Sequence, residues 1–269
     1  TMPVAWRDGG TCACGEPITE CAYWSAVHRR WLERVGADPV PRLIELQERY
    51  ERVRSLPRVF TEGVLTRTKS FDEYARLLGA LFSAIAEVGG KRVIVDSTKY
   101  PARALALSRV LGVRLRLVHL VRDGRGVIWS WHRKANVDLD GNVLEVAPED
   151  VVREMTRKWV AINLLSSLVG RSVRERSIRV RYEDLVSDPD AELERIGHVL
   201  GIDFSRVARG LVEGEPIAVG HTVAGNRVRM EGAIRLRPDL EWQEKLSVGD
   251  KRSFWRRAGW LARRYGYAE

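Results

Sequence analysis

The chain has 269 residues, of which 45 are basic and 36 acidic, so its formal net charge is +9. Hydrophobic residues make up 45% and charged residues 30%, a balance that fits a folded globular protein and excludes a disordered one. Three cysteines are too few for a disulfide-stapled secreted scaffold, and no apolar run reaches the ~18 residues of a membrane helix. The N-terminus carries no signal-peptide pattern. We therefore expect a cytoplasmic protein with no membrane span.

The basic residues are mostly arginine and they are clustered. Arg accounts for 38 of the 45 basic residues. The segment Pro101–Lys134 holds eight basic residues against Asp123 alone, and Lys251–Arg264 holds six with no acid. Arginine favours bidentate contacts to phosphate and sulfate. This clustering favours an anionic ligand, although a solvated arginine-rich surface is the alternative for any single residue.

The first third of the chain is predicted to be helical. Apolar residues recur at helical spacing over Ala22–Arg34 and again over Pro41–Val53. Ser70 is predicted to cap a third helix, with Glu73 completing a capping box, and Gly89-Gly90 is predicted to end it.

The next segment alternates strands and helices, which is typical of a parallel α/β sheet. The order is a strand at Val93–Val95, a helix from Pro101 to Leu111, a strand at Val113–Val121, and a helix after the turn at 122–126. Further along we expect a helix over 148–169, a strand over 178–182, a helix over 188–200, an ordered loop over 216–240 and a basic amphipathic helix over 250–267. No internal repeat or linker divides the chain. We expect one domain, mostly helical over 1–90 and α/β over 91–269.

The end of the strand at Val121 is a candidate anion site. Arg122 is the first residue beyond this strand, and ligands of open parallel sheets bind beyond the carboxyl ends of the strands. The glycine-containing turn that follows exposes backbone N–H groups at a helix start. Ser130, eight residues on, could offer its hydroxyl to the same oxyanion. An ordinary strand-to-helix turn with a surface arginine is the alternative.

The preceding strand ends in a similar way. Five polar or hydroxylic residues, Asp96 to Tyr100, lie between Val95 and Pro101. Lys99 and Arg122 would then meet at one edge of the sheet, where two cations can neutralise a phosphate or sulfate and stabilise a leaving group. A solvated Lys99, with Asp96 and Ser97 capping the helix, is the alternative.

These residues resemble the PAPS-dependent sulfotransferases, in their bacterial branch. PAPS is 3′-phosphoadenosine-5′-phosphosulfate. The family carries a strand, an Arg and a helix with Ser eight residues later, and LVHLVRDGRGVIWSW matches that pattern. Four other segments match the family in the right order: the Cys-rich segment CACGEPITECAYW, then VIVDSTKYPARALAL, IRVRYEDLVSDPDAELERIGHVLGI and HTVAGNRVRMEG.

The resemblance implies roles for particular residues. It implies that Arg122 and Ser130 hold the 3′-phosphate and that Lys99 stabilises the bridging oxygen of the leaving group. It also places Tyr182 at the nucleotide. The loop residues Gly225, Asn226, Arg227 and Arg229 would close over it.

The residue that takes the proton of the acceptor is left open by the sequence. Asp96 is our catalytic candidate beside Lys99, because it lies at a strand end that faces the site. His119, His132 and His221 are the alternatives. His119 lies inside an apolar strand and is predicted to be a satisfied core residue.

The resemblance implies a P-loop-like α/β fold with a parallel sheet and helices on both faces. Family members begin with a strand and a Gly-rich turn that wraps the 5′-phosphosulfate. No such segment occurs between Thr1 and Glu269. We expect that the first strand of the fold is missing through truncation, and the alternative is a natural variant that binds nucleotide differently.

The implied reaction moves a sulfuryl group from PAPS to a hydroxyl or amine and releases adenosine 3′,5′-bisphosphate (PAP). The acceptor would be a small molecule, a glycan or a peptide, and residues 1–90 would form most of its side of the site. A non-catalytic PAP-binding or partner-binding protein is the second interpretation. Nucleic-acid binding is the third, and we expect no nucleic acid as partner because no helix-turn-helix, zinc-finger or RNP pattern occurs.

The cysteines form a C-x-C-x6-C pattern at Cys12, Cys14 and Cys21, with His28 seven residues further on. A zinc site of three cysteines and this histidine, a local disulfide and free thiols are the three alternatives. The spacing is unusual for zinc, so we assign no metal from the sequence.

Overall fold

A computed structural model describes residues 2–110, 112–135, 148–173, 176–223 and 227–269. It has the mixed α/β composition, with a parallel strand pair and many helices, that the sequence predicts. The chain divides into two compact units. The first unit comprises residues 1–115 and 215–235, and the second comprises 116–214 and 236–269. The 215–235 segment thus folds with the N-terminal part of the chain.

The first unit is mainly helical. Its α-helices are α1 Met2–Asp8, α2 Ala22–Val35, α3 Val40–Tyr50, α4 Leu56–Arg58, α5 Lys69–Gly89 and α6 Pro101–Leu107. A 3₁₀ turn at Val53–Ser55 precedes α4 and a π-helical segment at Val59–Leu65 follows it. The 215–235 segment contributes an antiparallel pair of two-residue strands, which we number last as β3 Ile217–Ala218 and β4 Ala233–Ile234, and a 3₁₀ turn at Arg227–Glu231.

Helix α5 begins earlier than predicted. Thr68, not Ser70, is its cap, because the Thr68 backbone is extended and its side chain accepts a hydrogen bond from the N–H of Phe71. Glu73 does not complete a capping box but binds the guanidinium of Arg42, at 2.6 Å. The predicted end of the helix is confirmed, since Gly90 adopts the left-handed conformation there.

The predicted strand at Val93–Val95 is wrong. The described chain has no strand there, and the Val93 and Val95 side chains are 55% and 87% exposed. A strand requires a neighbour for its backbone N–H and C=O groups, and this segment pairs with no other described strand. A β-branched run by itself therefore did not produce a strand.

The second unit contains the parallel strands and the longest helix. Its elements are β1 Leu117–Val121, α7 Gly124–Ala135, α8 Pro148–Ser172, β2 Ser177–Arg181, α9 Tyr182–Ser187, α10 Pro189–Leu200, α11 Ser205–Val212, α12 Trp242–Lys245 and α13 Val248–Arg264. Each lies at the position the sequence predicts to within a few residues, apart from the short helices α9, α11 and α12, which the sequence analysis did not separate.

Strands β1 and β2 are parallel, with His119 opposite Arg179 and Val121 opposite Arg181. On one face of the pair, Ile178 and Val180 pack against α10. On the other, Val121 joins an apolar cluster built with α7, α8 and α13. Helices therefore pack on both faces, although Val118 and Leu120 of β1 stay 39% and 51% exposed.

His119 is a satisfied structural residue, as predicted. Its Nε2 lies 3.0 Å from the side-chain oxygen of Asn163 on α8, and its ring meets the edge of Tyr265. Burial lowers the pKa of this imidazole, so it is neutral near pH 7. None of the described helices combines the length and the apolar character needed to cross a bilayer.

Candidate functional site

The turn between β1 and α7 is fixed by polar contacts on both sides. The Asp123 N–H donates to the carboxylate of Glu183, at 2.9 Å, and the Asp123 carboxylate accepts from the N–H of Arg125, at 2.8 Å. The Arg125 guanidinium also pairs with Asp123 and lies over the rings of Trp242 and Trp255. These contacts are buried, so the strand end has one well-defined backbone course.

Both glycines of this turn are required by close approach. A Cβ on Gly124 would lie 2.2 Å from a ring carbon of Phe254 on α13. A Cβ on Gly126 would lie 3.0 Å from the Trp242 ring and 3.1 Å from Nε of Arg122. The first glycine lets α13 pack against the turn, and the second leaves room for the Arg122 side chain along α7.

Arg122 is held at the end of β1 by three different groups. Its guanidinium lies 5.0 Å from the centre of the Tyr182 ring. One of its nitrogens is 3.0 Å from a carboxylate oxygen of Asp239 and 3.2 Å from the Asp239 carbonyl oxygen. Its own backbone carbonyl accepts a hydrogen bond from the indole of Trp159, at 2.9 Å. The arginine is thus oriented by its surroundings and remains partly exposed.

A second arginine reaches the same carboxylate. Arg133 of α7 lies 3.3 Å from the Asp239 oxygen that Arg122 also contacts. Gly126 and Ser130 are one helical turn apart on α7, and Arg133 follows Ser130 by three residues, so all three lie on one face of the helix. Ser130 therefore lies on the face of α7 that also carries Arg133, whose guanidinium meets that of Arg122 at the Asp239 carboxylate.

Tyr182 connects this surface to the neighbouring segment. Its hydroxyl donates to the Arg237 carbonyl, at 3.2 Å, and lies 3.3 Å from the Asp239 N–H. The structure therefore brings Arg122 and Tyr182 together, as the sequence resemblance implies. Sequence reasoning missed Asp239 and Arg133, because nothing in the local pattern of residues 236–241 signals an interaction with β1.

The two predicted catalytic residues, Asp96 and Lys99, lie in the first unit. The Asp96 carboxylate binds the Arg103 guanidinium, at 2.7 Å, and accepts from the N–H of Thr98, at 2.9 Å. Arg103 also pairs with the buried carboxylate of Glu51, which the Tyr74 hydroxyl contacts at 2.9 Å. The Arg103 side chain is 9% exposed and that of Glu51 is 4% exposed.

The charges of this network determine the protonation of Asp96. Burial opposes its ionisation, but the positive charge of Arg103 and the hydrogen bond from Thr98 outweigh burial, so the pKa of Asp96 lies below its usual range. A carboxylate held in this way is a weak base. It fixes the turn that carries the exposed Lys99, and its predicted role as proton acceptor is not tested by these contacts.

The remaining loop residues belong to the 215–235 segment. Gly225 and Asn226 lie outside the described residues, and only the backbone of Arg227 is described. The Arg229 guanidinium donates to the carbonyl oxygens of Thr11 and Thr222, at 3.0 and 3.4 Å. His221 of the same segment lies against Cys12 and Cys21.

The comparisons with known proteins identify the family of the chain. The model of the sulfotransferase family matches residues 19–206, more than two thirds of the chain. The chain belongs to the sulfotransferase family. Among solved structures, it is similar to a sulfotransferase domain from the curacin biosynthetic pathway, with 20% identity, 83% of this chain and 84% of that chain covered, and a TM-score of 0.46. No curated protein matches the chain.

Proposed function

We propose that this sulfotransferase-family protein transfers a sulfuryl group from PAPS to a hydroxyl or amine of a small-molecule, glycan or peptide acceptor. The observation that carries the proposal is the convergence of Arg122 and Arg133 on one carboxylate at the carboxyl end of β1. A pair of guanidinium groups that binds a carboxylate also suits the oxygens of a phosphate.

The 3′-phosphate of the nucleotide would take the position of the Asp239 carboxylate. Arg122 would bind it while Tyr182 holds the guanidinium plane, and Ser130 would add a hydroxyl from the same face of α7. A nucleotide without the 3′-phosphate would lose these contacts together.

The chemical step follows from the leaving group. The acceptor oxygen or nitrogen attacks the sulfur in line, the bond between sulfur and the 5′-phosphate oxygen breaks, and PAP departs with the electron pair. Lys99 would stabilise the charge on that oxygen, and a base, for which Asp96 is the sequence candidate, would accept the proton of the acceptor. The nucleotide would be covered by the loop residues Gly225, Asn226, Arg227 and Arg229. A cytoplasmic location of the protein remains a prediction.

The test is calorimetric titration of the chain with PAP and with AMP, which lacks the 3′-phosphate. We expect PAP to bind and the substitution Arg122→Ala to weaken it on the order of 100-fold, because charge-assisted hydrogen bonds contribute about 1.5–3 kcal/mol each. The matched control is Arg179→Ala, which removes an arginine of the same unit that lies over a tyrosine ring, here Tyr265, without touching the Arg122 site.

Equal binding of PAP and AMP, or unchanged binding by the Arg122 variant, would contradict the proposed nucleotide site. Retained PAP binding with no sulfuryl transfer to any of a panel of alcohols, amines and sugars would favour the non-catalytic PAP-binding interpretation instead.

A further inference from the structure

The fold of the first unit brings the three cysteines and one histidine together. Cys12 and Cys14 precede α2, Cys21 is its N-cap residue, and His221 comes from the 215–235 segment. Their ligand atoms, three Sγ and the imidazole nitrogen, all lie within 4.8 Å of one another. His28, the histidine nearest in sequence, is not part of this cluster because its ring stacks on Trp6.

Three of the six distances between the ligand atoms are close to those of a tetrahedral metal site. Zinc–sulfur bonds of ~2.3 Å and zinc–nitrogen bonds of ~2.0–2.1 Å place two sulfurs about 3.8 Å apart and a sulfur about 3.6 Å from a nitrogen. The observed separations are 3.7 Å for Cys14 and Cys21, 3.7 Å for Cys12 and His221, and 3.4 Å for Cys21 and His221. Three thiolates and an imidazole are ligands that select Zn²⁺.

Backbone hydrogen bonds fix the cysteine turn. The Gly15 N–H donates to the Cys12 carbonyl oxygen and the Cys12 N–H donates to the Glu16 carbonyl oxygen, both at 2.9 Å. Gly15 follows Cys14 with φ of 95°, a conformation that favours glycine. The chain then reverses direction, and Thr11 and Pro17 form an isolated antiparallel β-bridge. Two sulfurs are thereby presented on one side of a rigid turn.

His221 is fixed to the same face by groups other than the thiols. The Trp24 indole donates to its carbonyl oxygen, at 2.7 Å, and the Tyr23 ring stacks on the imidazole with centroids 5.1 Å apart. The Ala13 N–H donates to the Thr222 carbonyl, at 2.8 Å. Arg229 binds the carbonyls next to Cys12 and His221.

The 215–235 segment has little apolar surface of its own with which to pack. Ile217 and Met230 are 43% and 44% exposed, and both residues of β3 are exposed. A segment with so little buried apolar area gains its position from specific polar contacts or from a bound ion.

We propose that Cys12, Cys14, Cys21 and His221 bind one structural Zn²⁺ ion that fastens the 215–235 segment to the turn before α2. Binding forms three Zn–S bonds and one Zn–N bond and releases the three thiol protons to solvent, with the imidazole neutral. Four protein ligands close the coordination sphere, so the ion holds the segment and takes no part in group transfer. Its effect on nucleotide binding, through Arg229, rests on the proposed function, whereas metal binding does not.

The test is metal analysis and native mass spectrometry of the full chain, purified with reductant and without chelator. We expect one equivalent of zinc per chain. The mass should increase by that of one zinc ion minus the protons that the metal displaces. The melting temperature should fall after a chelator removes the metal. Cobalt substitution is expected to give thiolate charge-transfer and tetrahedral d–d bands. These readouts are independent of PAP binding.

The variants separate the proposed ligands from their neighbours. Cys14→Ser, at the exposed ligand, and His221→Ala are expected to lower zinc affinity by more than the ~10–100-fold typical of losing an outer-shell partner. His28→Ala is the matched control, because it removes a histidine of the same unit outside the cluster, and it is expected to keep one equivalent of zinc.

Zinc well below one equivalent in the folded wild-type chain, with no uptake by the reduced chain when zinc is added, would overturn the proposal. So would a mass lower by two hydrogen atoms, which indicates a disulfide between two of the cysteines, or equal loss of zinc in the His28 and His221 variants. A zinc-loaded chain that binds no PAP would overturn the nucleotide site alone and leave the metal site in place.

Discussion

The two compact units stabilise their candidate residues by different means. In the second unit, Arg122 follows a turn that is packed against aromatic rings, with Gly124 against Phe254 and Arg125 between Trp242 and Trp255. In the first unit, Asp96 is held by an ion network and His221 by a cluster of thiols. The comparison teaches that tight packing orders the turn after β1, whereas ion pairs and polar contacts order the segments that carry Lys99 and Arg229.

The largest effect is expected from breaking the ion network of the first unit. Arg103→Met leaves the Glu51 carboxylate buried without its guanidinium partner, and removing one member of a buried pair costs about 3–5 kcal/mol. We therefore expect the free energy of unfolding, measured in urea, to fall by about that amount.

A double variant distinguishes buried charge from simple packing. Glu51→Met added to Arg103→Met removes the unpaired carboxylate, so it should recover much of the lost stability. The exposed Arg76→Met is the control and should be nearly neutral. A single Arg103 variant as stable as the wild type would show that the network is not what holds this unit.

The next largest effect tests packing in the second unit. Gly124→Ala places a methyl group 2.2 Å from the Phe254 ring, and overpacking of this kind costs about 1–3 kcal/mol. Gly126→Ala meets the Trp242 ring at 3.0 Å and should cost less, but it also presses on Arg122 and should weaken PAP binding. If both variants unfold at the wild-type urea concentration, then close approach does not order this turn.

A smaller effect is expected on turnover. Lys99→Ala should lower kcat about tenfold or more while PAP affinity stays unchanged, because the lysine would act on the leaving oxygen in the transition state and not on the 3′-phosphate. Lys91→Ala, in the same irregular segment, is the matched control. An unchanged kcat for the Lys99 variant would remove this residue from the proposed mechanism.

The smallest expected effect is on the pH dependence of the free energy of unfolding. Burial lowers the pKa of His119, so the unfolded chain takes up a proton on this residue at a higher pH than the folded chain does. The stabilisation is complete above the unfolded pKa of ~6.5 and is lost as the pH falls below it.

His119→Gln, which can still donate to Asn163, should therefore flatten the decrease of unfolding free energy between pH 7.5 and pH 5. The comparison of melting temperatures across this range measures it. Parallel pH profiles for the variant and the wild type would mean that His119 does not contribute to acid sensitivity.

Local patterns predicted most of the helices and the parallel strands. Apolar spacing found α2, α5, α8, α10 and α13, and the alternation of strand and helix found β1 and β2. The strand predicted at Val93–Val95 was wrong. A strand needs a paired neighbour, and the sequence of one segment does not say whether that neighbour exists. The cap of α5 was also misplaced, because Thr68 and Ser70 are equally suitable by composition.

The residues of the candidate site were also predicted only in part. Arg122 and Ser130 were predicted from a strand end and the helix that follows it, and Tyr182 was predicted from the resemblance to the family. Asp239 was not predicted, since it is more than a hundred residues from Arg122 and meets it only after folding. Arg133 was not predicted because its contact is with this same Asp239.

The sequence by itself determined the family, most of the elements and the arginine at the end of β1, because these depend on residues close together in the chain. Only the tertiary structure decided which histidine meets the cysteines, since His28 is seven residues from Cys21 and His221 is two hundred. It also decided that two arginines share one carboxylate. Contacts between distant segments depend on how apolar faces and backbone partners pack, and no local pattern records that.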